Sequence, residues 1–60
     1  MEFLKQDYLK EIASLKDRIA YCKRQIRLSS EKWSVKEYNE LINNYENRIS
    51  ELQDILFNWN

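Results

Sequence analysis

The sequence predicts an all-α fold, an antiparallel helical hairpin that dimerises through one exposed face into a four-helix bundle. Three observations carry this reading. The 60 residues contain neither Gly nor Pro, so no residue of the chain breaks a helix from within. Apolar side chains recur at alternating steps of three and four in both halves, the rhythm of one helix face. The two series are out of phase near the middle, so a straight rod cannot carry both on one side.

The first helix is expected over about residues 2–28. Its apolar series is Tyr8, Ile12, Leu15, Ile19, Cys22 and Ile26. In heptad terms Ile12, Ile19 and Ile26 are a, and Tyr8, Leu15 and Cys22 are d. Ser29 and Ser30 follow, residues whose hydroxyls compete for backbone hydrogen bonds and so favour helix ends. With no Gly to take a left-handed cap, the last turn is expected to fray or tighten into a 3₁₀ turn.

A bend is expected at residues 29–33. Continuing the first frame would put a at positions 33 and 40. The second series, Val35, Tyr38, Ile42, Tyr45, Ile49, Leu52, Leu56 and Trp59, has a at 35 and 42. The slip of two residues is about 200° of rotation on an ideal helix. A coiled coil absorbs insertions of three or four residues far more easily than of two. The chain is therefore read as folding back, with a connection short enough for an antiparallel helix pair.

The second helix is expected over about residues 34–58. Ser34 and Glu37 form the S-x-x-E pattern of a capping box, with Trp33 and Tyr38 at the two positions of a hydrophobic staple. These signals and the phase break fall together, which places the helix start at Ser34.

Laid side by side, the helices match with facing residue numbers summing to about 64. Ile26 meets Tyr38, Cys22 meets Ile42, Ile19 meets Tyr45, Leu15 meets Ile49, Ile12 meets Leu52 and Tyr8 meets Leu56. Lys5 would then lie on Trp59 as a cation–π pair or as an apolar stem on an indole, and Lys16 would approach Glu46. Residues 1–30 carry seven basic and four acidic side chains, net +3, and residues 31–60 carry three and six, net −3. Opposite signs favour the same pairing.

A chain this short buries only about 60% of its unfolded surface and is marginal alone. One Cys and no His exclude an internal disulfide and a conventional zinc site, which leaves association as the staple. The g positions beside the seam supply a face: Leu4 on helix 1, Leu41 and Ile55 on helix 2, with Tyr21 and Leu28 at c. This widens the stripe from a two-stranded seam to that of a helix in a bundle. Arg18 and Arg48 fall on the same side and would face each other as like charges within one hairpin. Across an interface each could reach Glu11, Glu51 or a partner's carboxylate.

The composition narrows the chemistry. No His is available as a general base, and no Gly-rich phosphate loop is possible. Cys22 at d reads as a small buried hydrophobe. No catalytic, cofactor-binding or metal-ligating set stands out. Formal net charge zero argues against both a dedicated nucleic-acid binder and an acidic mimic of one. The strongest basic flank is Lys16, Lys23 and Arg27, with Lys36 near the bend, and cations there also complement a helix C-terminus. No apolar run approaches a membrane span, and no signal pattern opens the chain. A cytoplasmic product is expected, complete from its Met1. Phe3 and Phe57 lie off the seam, placed either to close the open end or to meet a partner.

These readings favour a small non-enzymatic interaction protein, self-associating, that regulates, adapts or inhibits another protein. The alternatives are an RNA-binding hairpin dimer using the basic flank, and a structural subunit of a larger assembly.

Overall fold

A computed structural model describes residues 4–59. It contains two helices, α1 (Lys5–Leu28) and α2 (Lys32–Phe57), packed against each other as a hairpin measuring 46 × 18 × 14 Å. The long dimension is that of a single helix of this length at 1.5 Å per residue, so the chain doubles back once.

Both helix starts differ from the sequence expectation. Leu4 is extended (φ −82°, ψ 156°), and α1 begins after it. The Asp7 carboxylate accepts the Leu4 backbone N–H at 3.0 Å, and the Leu4 carbonyl accepts the Asp7 N–H at 2.9 Å. A carboxylate in the first turn also suits the positive end of the helix dipole. Glu2 and Phe3, expected in the first helix, lie outside the described residues.

α2 starts at Lys32, two residues before Ser34, with Glu31 as N-cap and no capping hydrogen bond from its side chain. The capping box at Ser34 and Glu37 is not used, and Trp33 is exposed inside the first turn instead of stapling the entry. The turn is organised one step earlier. The Ser29 N–H donates to the carbonyls of Gln25 at 2.8 Å and Ile26 at 3.3 Å, closing α1 partly in 3₁₀ fashion. The Ser29 hydroxyl oxygen then accepts the Glu31 N–H at 3.3 Å. One serine thus ends α1 and steers the chain into α2, so three residues suffice where five were expected. Ser34→Ala is accordingly expected to change the urea midpoint by less than about 0.5 kcal/mol equivalent. A working N-cap serine would cost about 1 kcal/mol.

The core lies where the periodicity put it. The buried side chains are Ile12, Leu15, Cys22, Ile42, Ile49 and Leu52, all a or d, and no polar or charged residue is buried among the described residues. Ile12, Leu15, Ile49 and Leu52 form one cluster, with Tyr8, Ile19, Tyr45 and Leu56 packed on it. These are the residues of four expected facing layers. Cys22 and Ile42 are buried nearer the bend, outside that cluster.

The chain ends pack differently from expectation. Trp59 meets the Tyr8 ring edge-on, centroids 5.6 Å apart and planes at 66°, in place of the expected Lys5 contact. An aromatic pair combines apolar burial with quadrupole complementarity, which a solvated lysine does not match. α2 closes at Phe57, where the Asn58 side-chain amide and backbone N–H both donate to the Asp54 carbonyl, at 3.0 and 3.2 Å.

Candidate interaction face

The hairpin leaves one broad side on which the g and c positions of both helices emerge. Helix packing consumes a and d, so whatever stands at g and c must meet solvent or another molecule. All five apolar residues assigned to this face remain exposed after the hairpin forms. Leu41 and Ile55 are each 40% exposed, and Leu28 reaches 74%, with Leu4 and Tyr21 between them.

Charged residues divide the face in two. Arg48 on α2 reaches across to α1, its Nε donating to Glu11 Oε2 at 3.0 Å, while Nη1 donates to Glu51 Oε2 at 3.1 Å one turn further along α2. The hydrogen bond to Glu11, then that to Glu51, hold the guanidinium proton more firmly than usual and raise its pKa further. Arg18 has no carboxylate at ion-pair distance among the described residues. Its guanidinium sits 6.0 Å from the centroid of the Tyr45 ring, a cation–π placement. The expected clash of Arg18 with Arg48 therefore does not arise. Arg48 is neutralised within its own hairpin, and Arg18 rests on an aromatic face.

On either side of this belt the face is concave. Towards the bend, Arg18, Tyr21, Leu41 and Tyr45 help line an open groove of about 400 Å³ that reaches down to Cys22 and Tyr38. Towards the chain ends, a smaller groove of about 180 Å³ lies between Asp7, Tyr8, Glu11, Arg48 and Ile55. The two grooves and the ion-paired belt between them are features that heptad letters alone do not supply.

The basic flank is less coherent. Lys23 and Arg27 line a groove beside Ile26 and Ile42, but Glu46 and Asn39 share it. Lys16 and Lys36 are exposed and do not line it. No ion pair joins Lys16 to Glu46 among the described residues. An exposed pair of this kind is worth under about 1 kcal/mol, too little to hold two long side chains in one geometry.

Cys22 is a free, buried thiol. Among the described residues no cluster of His, Cys, Asp and Glu is placed to hold a metal ion, and no helix is long and apolar enough to cross a membrane. Phe57 is exposed, and Phe3, its expected neighbour, lies outside the described residues. No family model, curated protein or solved structure matches the chain.

Proposed function

We propose that the chain is a small non-enzymatic protein-interaction module. It self-associates through the face of Leu4, Tyr21, Leu28, Leu41 and Ile55 into a four-helix bundle, and acts on another protein as a regulator, adaptor or inhibitor. One observation carries this reading. These five apolar side chains share one side by their heptad positions, and in the folded hairpin they remain 40–74% exposed. Apolar surface collected on one side marks an interaction site more often than apolar residues scattered singly.

Two further observations support it. The core is thin, with Leu52 alone fully buried among the described residues, and a second copy would cover the g positions that the first leaves open. Off this face, Leu9, Trp33 and Phe57 are also exposed, which gives a dimer apolar anchors for a different partner. Such a partner would meet surfaces that dimerisation does not consume.

Light scattering at tens of micromolar tests the reading. The wild-type chain is expected to scatter as a dimer, and the Leu41→Lys, Ile55→Lys double variant as a helical monomer. A monomeric wild type, or a variant that remains dimeric, rejects the face.

A further inference from the structure

Self-association through this face leaves its orientation open, and the charged belt decides it. A face that pairs with itself does so about a two-fold axis lying in the interface. That axis runs either along the rod or across it. With the axis along the rod, the two bends sit side by side and α1 of one copy covers α2 of the other. Each residue then meets the opposite helix at its own height, where facing numbers sum to about 64. Arg18 would lie on the partner's Arg48, Ile55 on the partner's Glu11, and Leu28 on the partner's Glu37. Arg18 finds no free carboxylate there, because Arg48 already holds Glu11 and Glu51, and two apolar residues against carboxylates oppose this arrangement.

With the axis across the rod, each helix covers its own copy running the other way. Let the axis cross α1 between Ser14 and Leu15 and α2 between Ile49 and Ser50, positions at one height in the register that sums to about 64, with Leu15 and Ile49 in one core cluster. Arg18, which has no carboxylate at ion-pair distance among the described residues of its own chain, then meets the partner's Glu11. Arg48 meets the partner's Glu51. Leu41 approaches the partner's Ile55, and the Tyr21 and Leu28 end of the face overlies the partner's Leu4. A single axis position satisfies the contacts of both helices, and the same operation lays each groove over the other.

We infer that two copies pack head to tail, the bend of one beside the chain ends of the other, with Arg18 bound to the partner's Glu11 on both sides of the two-fold axis. The inference rests on the self-association proposed above. The overall charges of the two halves would favour α1 over α2, but most of the cations of α1 (Lys10, Lys16, Lys23, Arg24 and Arg27) lie off the c and g positions. On the face itself α1 presents Asp7, Glu11 and Arg18, and α2 presents Glu37, Arg48 and Glu51. The two helices therefore carry the same net charge there, and the choice falls to individual pairs.

Two measurements test it. The first is sedimentation equilibrium of Arg18→Glu, an exposed substitution made with the native Cys22 in place. Head-to-tail packing predicts a dimer dissociation constant weakened roughly tenfold, because two symmetry-related attractions become repulsions. Side-by-side packing predicts an unchanged or tighter dimer, because Arg18 there meets the partner's Arg48 and gains no carboxylate. The second is the distance between spin labels at Ser30→Cys in a Cys22→Ala background. Head-to-tail packing gives about 45 Å from the helical rise, and side-by-side packing gives less than about 20 Å.

A weakened Arg18→Glu dimer with the long distance supports the inference. An unchanged or tightened dimer, or the short distance, overturns the orientation and leaves the self-association standing. A wild-type chain that sediments as a monomer overturns both. Should the labelled variant fail to fold, the Arg18→Glu measurement decides alone.

Discussion

Leu52→Ala is expected to cost the hairpin about 3 kcal/mol, within the range for large-to-small changes at fully buried leucines. Leu52 is the one side chain among the described residues with no exposed surface, and it lies in the cluster with Ile12, Leu15 and Ile49. A 60-residue chain has on the order of 3–9 kcal/mol of stability in total, so one truncation removes a large share. Urea unfolding followed by circular dichroism at fixed protein concentration measures it. Leu52→Asp should prevent folding altogether, since a carboxylate there has no partner and no water. A loss below about 1 kcal/mol for the alanine variant would show that α2 does not press this position against α1.

The Cys22 thiol provides a second large effect. It is 3% exposed at a d position in the seam, so a reagent reaches it only when the helices part. With the stability expected of such a domain, Ellman's reagent should react at least about a hundredfold more slowly in buffer than in denaturant. The protection should shrink in Leu52→Ala, because loosening the core raises the population of open hairpin. A thiol that reacts as fast in buffer as in urea would place Cys22 outside the seam. The same burial argues against a role for it as a nucleophile, which needs an accessible thiolate.

The seam was legible in the sequence because it depends on period alone. Tyr8, Ile12, Leu15 and Ile19 recur at helical spacing, as do Tyr45, Ile49, Leu52 and Leu56, and these eight residues make up the cluster and its surround. The reversal was legible for the same reason, since a two-residue slip in phase leaves a straight rod no common face. The turn was less so. Ser34 and Glu37 carry the S-x-x-E pattern, yet the chain is helical before it reaches them. The pattern records an ability to cap, and the Ser29 hydroxyl bonded to Glu31 determines which residue meets the need first. Two serines in succession gave no indication of that choice.

The face was legible as a set of positions but not as a surface. Heptad letters put Arg18 and Arg48 on one side, and from letters alone they oppose each other. Side-chain reach settles the matter, because a guanidinium on a long stem selects among every acceptor within several ångströms. Arg48 takes Glu11 across the seam and Glu51 along its own helix, and Arg18 turns onto Tyr45. The Tyr8–Trp59 contact was missed for a similar reason. A shift of three residues, about one helical turn, at the chain end replaces Lys5 with an aromatic ring, and periodicity is least informative at chain ends.

Among the described residues no non-glycine residue takes a positive φ, and both residues flanking the tip of the turn, Ser29 and Glu31, are extended. Any L-amino acid is sterically admissible in such a conformation. The backbone of the apex thus excludes almost no residue type, the Ser29 hydroxyl adds its contact to Glu31, and the rest of the instruction to reverse is distributed along two apolar stripes. Exposed Ser30 at the tip is therefore open to exchange, and a recognition sequence grafted there would leave the stripes to hold the architecture constant.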